Sequence, residues 1–143
     1  MSSNSGAIVK ATRAWIGTPY RHQASTAGSG CDCLGLLRGV WREIVGEEPT
    51  RMPSYRANWR DKANASALQA AAEKYLIPSD GEPEVGDVVL FKMLRSLPPK
   101  HCGIMISKNV FAHAQEQIGV VEANLSDAWR QRIAGVYHFP NKK

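Results

Sequence analysis

The sequence contains no apolar run near the about 18 to 20 residues that a membrane-spanning helix needs, so no span is expected. The stretch from Met1 to Gly17 alternates polar and apolar side chains and lacks the apolar block of a cleaved signal peptide. The expectation is synthesis in the cytoplasm, with any exit by another route. Cysteine is scarce and odd in number, at Cys31, Cys33 and Cys102. Three thiols cannot close a disulfide framework, and a chain of this length buries roughly 70% of its unfolded surface without such staples. The thiols are therefore read as reduced. No repeat, low-complexity tract or long linker divides the 143 residues, which read as one domain over 1–143. A dense block of one charge is missing too. Lysine and arginine outnumber aspartate and glutamate by 18 to 13, giving +5, but they are scattered and no stacking aromatics accompany them. That argues against nucleic acid as a partner and leaves attraction to an anionic surface such as a cell wall.

What is present is an ordinary globular composition, 43% apolar and 22% charged. A first helix begins after Ser3, Asn4 or Ser5, aligns Ile8, Ala11 or Thr12, and Trp15, and stops at Gly17 ahead of Pro19. A turn-rich loop covers Thr18 to Gly30. Asp32 to Val45 reads as a second helix, with Asp32 as its cap, an apolar stripe of Leu36, Leu37, Val40, Trp41 and Ile44, and Gly46 closing it. Pro49 to Trp59 is irregular. A third helix is expected over Asn64 to Leu76, with Leu68, Ala72 and Tyr75 or Leu76 inward, and a loop over Pro78 to Gly86.

Beyond this point the period becomes strand-like. Asp87 to Met93, Cys102 to Ser107, Val110 to Ala114, Ile118 to Ala123 and Ile133 to Phe139 are short β-branched or aromatic runs between turn residues. Helices followed by an antiparallel sheet define an α+β class. In the hairpin around Ser107, Lys108 and Asn109, a three-residue loop pairs Gly103 with His113 and Met105 with Phe111. His101 then lies diagonal to His113 on one face, while Cys102, Ile104 and Ile106 oppose Val110, Ala112 and Ala114 on an apolar face. A two-residue loop would separate the histidines. The apolar pattern favours the first register.

Cys33 occupies the first position of the second helix, after the capping Asp32 and the glycine-rich approach Gly28-Ser29-Gly30. Backbone amides and the helix dipole there favour a thiolate, the form that attacks carbonyls, and can hold an oxyanion. A buried structural cysteine is the plain alternative. His101 and His113 supply a base and an orienting polar group for such a nucleophile, although either histidine alone is as readily an ordinary residue. Cys31, Cys33, His101 and Cys102 also form a four-ligand zinc reading. It is disfavoured because the Cys-x-Cys spacing is tight for a knuckle and Cys102 points away from His101's face. A Cys31–Cys33 disulfide would close a strained ring over the nucleophile and makes sense only as a reversible cap. Trp15 and Trp41 fall on core stripes; Trp59 and Trp129 lie in irregular segments that could line a cleft. His22 and His138 have no motif position.

These residues carry a resemblance. Gly17-Thr18-Pro19-Tyr20, Gly30-Cys31-Asp32-Cys33-Leu34-Gly35-Leu36, Glu84 through Phe91, His101-Cys102-Gly103-Ile104 and Phe111-Ala112-His113-Ala114 resemble, in order and spacing, the NlpC family of cell-wall cysteine peptidases. The likeness extends from Ile8 to Phe139 and is strongest to the short members of phage tails and gene transfer agents, through the run Gly17 to Gln23 and the Cys31-Asp32-Cys33-Leu34-Gly35 variant. It implies a papain-like fold and hydrolysis of an amide bond in peptidoglycan stem peptides, without a metal or cofactor. Cys33 matches the nucleophile, His101 the base and His113 the orienting residue. Tyr20 matches an oxyanion or substrate residue, and Asp32 a cap that helps bind the stem peptide. Two positions depart from the family pattern: Leu34 stands where serine is usual and Val85 where proline is usual. Neither supplies a catalytic group. The subfamily resemblance implies delivery in a phage-like particle held by tail-tip proteins. Readings of another class are a catalytically weak tail-tip or adaptor protein and an acyltransferase on the same fold.

Overall fold

The computed structural model describes residues 4–49 and 67–141. The irregular stretch expected up to Trp59 therefore lies mostly outside the described residues, as does the start of the helix expected from Asn64. Helix α1, Ser5–Arg13, buries Ile8, Ala11 and Thr12, the stripe that its sequence spacing dictates. It does not run to Gly17 as expected. The Thr12 hydroxyl donates to the Ile8 carbonyl at 2.7 Å, a competition with the backbone ladder that weakens a helix from within. The chain turns at Ala14, and Trp15 enters the core from that turn, 7% exposed. Gly17 then adopts φ +95°, a left-handed conformation that suits a residue without a β-carbon.

Helix α2, Cys33–Ile44, follows the sequence closely. Asp32 caps it, Leu36, Leu37, Val40, Trp41 and Ile44 are buried, and Gly46 leaves it with φ +138°. Its two glycines are contact points. A β-carbon on Gly39 would lie 2.0 Å from the Trp15 ring, so α1's trailing turn packs directly on the helix backbone. One on Gly35 would lie 1.8 Å from the Ala24 carbonyl oxygen, so the preceding loop presses on the first turn of α2. That loop holds a hairpin, β1 (Ser25–Thr26) with β2 (Gly30–Cys31), registered Ser25 to Cys31 and Thr26 to Gly30. Strands of two residues are too short to show a period in sequence.

Helix α3, Ala67–Tyr75, leads into a six-stranded antiparallel sheet ordered β3-β8-β4-β5-β6-β7. Its strands are β3 (Ile77–Ser79), β4 (Val88–Phe91), β5 (His101–Met105), β6 (Val110–Gln115), β7 (Gly119–Asn124) and β8 (Ile133–His138). A short helix, α4, Asp127–Arg130, precedes β8. Strand β3 corrects the loop expected from Pro78. Among the described residues its registered partner is β8, at the sheet edge, where a proline's missing N–H costs no ladder bond.

The β5–β6 register is the one that the apolar pattern favours, with Ile104 opposite Ala112 and Met105 opposite Phe111. The ladder ends there, so the expected Gly103–His113 pair lies beyond it. Cys102, Ile104, Ile106, Ala112 and Ala114 join Val88, Leu90 and the helices in the main core. On the other face, Val89, Phe91, Met105, Phe111 and Leu125 form a smaller cluster with Trp129 and Ile133. A one-residue slip would exchange the faces of β6. With each buried Val, Leu, Ile or Phe contributing about 1.5–3 kcal/mol, that alternative does not compete.

The glycine contacts give an expected outcome. Gly35→Ala must displace the loop at Ala24 and should lower unfolding free energy by about 1–3 kcal/mol. Gly6→Ala, which meets nothing within 4 Å, should raise it by about 0.5–1 kcal/mol. Urea denaturation of the two variants checks the contrast; equal effects would remove the close approach as a constraint.

Candidate active site

The site forms where the first turn of α2 meets the start of β5. Asp32 is 2% exposed, and both carboxylate oxygens accept backbone amides: Oδ1 from Gly35 and Oδ2 from Gln23, each at 2.7 Å. One carboxylate thus fixes the helix start and the loop before it. His22, unassigned by motif, stands with Nδ1 3.8 Å from Asp32 Oδ2. Cys33 follows, half-buried, with Sγ 3.6 Å from the Lys100 carbonyl oxygen, while the buried Cys102 thiol donates to the Cys33 carbonyl at 3.3 Å.

Helix and strand together place the thiol beside His101, the first residue of β5. Two neighbours of β5 face opposite ways: Cys102 looks toward α2, while His101 shares the face of Phe91 and Phe111. Just where the β5–β6 ladder stops, the link between strands passes to side chains. His101 Nε2 and His113 Nδ1 share a hydrogen bond of 2.8 Å. That bond occupies Nε2 and leaves Nδ1 of His101 as the nitrogen for the thiol.

Electrostatics assign the protons. The Cys33 thiol is held down, to about 5, by hydrogen bonding from Cys102 and by the hydrogen bond and charge of His101, against burial and the Asp32 carboxylate, which push upward. The other two thiols go the other way. Hydrogen bonding to Cys33 and burial raise Cys102 well above the ordinary thiol, and burial, with the charges of Asp32 and Cys33, pushes Cys31 up to about 12. His113, 3% exposed, is held down to about 4, chiefly by burial and then by His101. It is neutral at neutral pH, so its Nδ1 can accept the Nε2–H of His101.

Tyr20 reaches the site through the backbone. It bridges to Cys31 in parallel, and the Cys31 amide donates to the Pro19 carbonyl at 3.0 Å, so the tyrosine is tied to the strand that runs into Cys33. Burial raises its phenol, and the charges of Cys33, Asp32 and Glu116 push the same way, so the hydroxyl remains a donor.

Structure thus brings together Cys33, His101, His113, Tyr20 and Asp32. Cys31 takes a plain role: fully buried, it packs in the main core. All three cysteines are free thiols, and among the described residues no group of three or more His, Cys, Asp or Glu side chains could hold a metal ion. Trp15 and Trp41 are core, as expected, and Trp59 lies outside the described residues. Trp129 is a site residue that sequence reasoning reached only as a cleft candidate: its ring lies against both histidines. His138 pairs through Nδ1 with Asp87 Oδ1 at 2.5 Å. Val88, next to Asp87, opposes Ile104, while Phe91 opposes His101, which puts this pair at the other end of β4 from the site.

A nucleophilic thiol at a helix start, a histidine beside it and a second histidine bonded to the first compose the apparatus of a cysteine hydrolase. Comparison with known proteins agrees. Residues 17–138 match the NlpC/P60 family, and the chain belongs to that family. It is 30% identical over 139 residues to the probable peptidoglycan endopeptidase LytE of Bacillus subtilis, covering 96% of this chain and 35% of that protein. It is also 30% identical over 135 residues to the gamma-DL-glutamyl hydrolase of the same organism, covering 94% and 29%. To the murein DD-endopeptidase MepS/murein LD-carboxypeptidase of Escherichia coli it is 29% identical over 119 residues, covering 82% and 54%. The chain thus spans about a third of the two Bacillus relatives and about half of the Escherichia coli one. The solved NlpC/p60 domain of the peptidoglycan hydrolase SagA superposes with TM-score 0.64 at 20% identity, covering 95% of this chain and 99% of that one. That likeness confirms the α+β, papain-like fold.

The depressed thiol gives a direct expectation. Only the thiolate is alkylated, so Cys33 should keep reacting with iodoacetamide as pH falls from about 8 to 6, with a midpoint near 5 where free cysteine has about 8.5. Peptide mapping by mass spectrometry should find the label on Cys33, with Cys31 and Cys102 unlabelled in the folded protein. A midpoint at the free-cysteine value would contradict the arrangement.

Proposed function

We propose that the chain is a cysteine peptidase that hydrolyses an amide bond in peptidoglycan stem peptides. The observation that carries this reading is the Cys33 thiol at the start of α2 beside His101, which is itself bonded to the neutral His113 at 2.8 Å. The substrate class is supported by relatives named as a peptidoglycan endopeptidase and a murein endopeptidase.

In this reading each residue has a step. The Cys33 sulfur attacks the amide carbon, and the carbonyl electrons move onto oxygen. The Cys33 amide at the helix start and the Tyr20 hydroxyl donate to that oxyanion. His101, charged in the resting ion pair, gives the Nδ1 proton to the leaving nitrogen as the C–N bond breaks, leaving a thioester on Cys33. Neutral His101 then takes a proton from water, which attacks the thioester and restores the thiolate and the imidazolium. His113 holds the ring through Nε2 so that Nδ1 faces sulfur throughout. Asp32, with both oxygens engaged by amides, acts by fixing the helix start that carries Cys33 and bounds the stem-peptide subsite.

Muropeptide release from purified sacculi, followed by mass spectrometry, tests the reading and reports which bond is cut. Cys33→Ala should reduce release to background and His101→Ala should reduce it by about 10²–10⁴-fold. Cys31→Ala, a change in the core, should leave it within a fewfold. An active Cys33→Ala protein with an inactive Cys31→Ala protein would overturn the assignment.

We infer in addition that the enzyme acts from a phage-like tail or gene-transfer particle, held by tail-tip proteins, and meets the wall during DNA delivery. Supporting this are the run Gly17 to Gln23, the Cys31-Asp32-Cys33-Leu34-Gly35 variant and a net charge of +5 that suits an anionic envelope. Fractionation of producing cells should find the protein banding with particles; a free periplasmic pool without particles would contradict it.

A further inference from the structure

Cys33 opens α2 and Cys102 is the second residue of β5, and their side chains meet at the seam between helix and strand. The Cys102 thiol donates to the Cys33 carbonyl at 3.3 Å, and the two thiols hydrogen-bond to each other. Cys33 packs against the core cluster that holds Cys102, which is 1% exposed and lies opposite Leu90 in the β4–β5 ladder. On an otherwise apolar face, a second sulfur thus stands within reach of the reactive one.

The third cysteine is placed differently. Asp32, between Cys31 and Cys33, is extended, with φ −105° and ψ −172°, and its carboxylate accepts two amides at 2.7 Å. An extended chain carries the α-carbons of residues i and i+2 about 6.6–7.2 Å apart, at or beyond the upper end, about 6.8 Å, of disulfide geometry. Closing Cys31 on Cys33 would bend the backbone that the Asp32 cap holds extended.

Cys33 is the thiol held as thiolate, the form that peroxides oxidise, and it is half-buried while the other two are buried. Attack of its sulfur on a peroxide breaks the O–O bond and leaves a sulfenic acid on Cys33 and a hydroxide ion. The thiolate charge and its hydrogen bond, two of the causes that keep the proton on Cys102, are then gone. The Cys102 sulfur attacks the Cys33 sulfur, the S–O bond breaks, and the departing hydroxide takes the Cys102 proton and leaves as water. The two sulfurs lose two electrons to form the disulfide, and the peroxide gains them.

We propose that Cys33 and Cys102 form a peroxide-sensitive redox pair, in which Cys102 resolves the Cys33 sulfenic acid into a reversible disulfide that withholds the sulfur from substrate and from further oxidation. Loss of hydrolysis on oxidation rests on the peptidase reading above; the disulfide does not, and it is read by mass. Folded protein is treated with hydrogen peroxide until Cys33 no longer reacts with iodoacetamide. It is then mapped without reductant and, in parallel, reduced with dithiothreitol and alkylated again. Wild type should yield a linked Cys33–Cys102 peptide two hydrogens lighter than its parts, and dithiothreitol should restore Cys33 alkylation to within about twofold of the untreated level. In Cys102→Val, Cys33 should carry sulfinic or sulfonic acid, and alkylation after dithiothreitol should stay about tenfold or more below that variant's own untreated level. Scaling each protein to its own untreated level removes the effect of Cys102 on Cys33 acidity. A Cys31–Cys33 link, a wild-type Cys33 that peroxide does not silence or that passes to sulfinic acid unlinked, or full recovery in Cys102→Val overturns the pair and leaves the peptidase reading standing. Muropeptide release, followed alongside, should fall on oxidation and return with reductant. A reducible Cys33–Cys102 link in a protein that never releases muropeptides overturns the peptidase reading and leaves the pair standing. Should Cys102→Val not fold, the linked-peptide map of wild type decides.

Discussion

Everything in the site depends on how the first turn of α2 is seated. Its cap is a buried carboxylate, and an uncompensated buried charge costs several kcal/mol. Two amide hydrogen bonds at 2.7 Å and the helix dipole offset that cost, so Asp32 can be buried only if the loop at Gln23 and the helix at Gly35 stand where they do. The opposite side of the turn is fixed by β5, through the Cys102 thiol on the Cys33 carbonyl and the Lys100 carbonyl near the Cys33 sulfur. Cys33 is thus held between a loop and a strand that come from distant parts of the chain.

This seating explains an apparent conflict in the electrostatics. Asp32 adjoins Cys33 and disfavours its ionisation, as burial does. Hydrogen bonding from Cys102 and the imidazole of His101 outweigh both, so the carboxylate contributes position and the other groups contribute acidity. Three cysteines with one chemistry in solution become a thiolate, a hydrogen-bond donor and a core residue. Cys33 is half-buried, while Cys31 and Cys102 are buried and their thiols are pushed up.

Much of this was legible in the sequence because the forces involved are local. Asp32, the apolar stripe of α2 and Gly46 mark a helix from cap to exit, and the alternation across Cys102 to Ala114 sets a register that puts both histidines on one face. Where reading failed, the deciding contacts are distant. The end of α1 turns on a hydroxyl–carbonyl bond and on Trp15 finding Gly39 in another helix. The hairpin of Ser25 to Cys31 and the edge strand around Pro78 are too short for a period and exist through their partners. Trp129 sits on a four-residue helix without a buried residue; only the fold shows that its ring lies against both histidines.

On the proposed mechanism Cys33 forms a covalent acyl intermediate with His101 as its proton carrier. Acid-quenched enzyme, mixed with a stem peptide and mapped by mass spectrometry, tests this most directly. An acyl group is expected on the Cys33 peptide alone, bound as a hydroxylamine-labile thioester, and none in His101→Ala. An acyl group on Cys31 or Cys102, or turnover with no acyl-enzyme at any quench time, would contradict it.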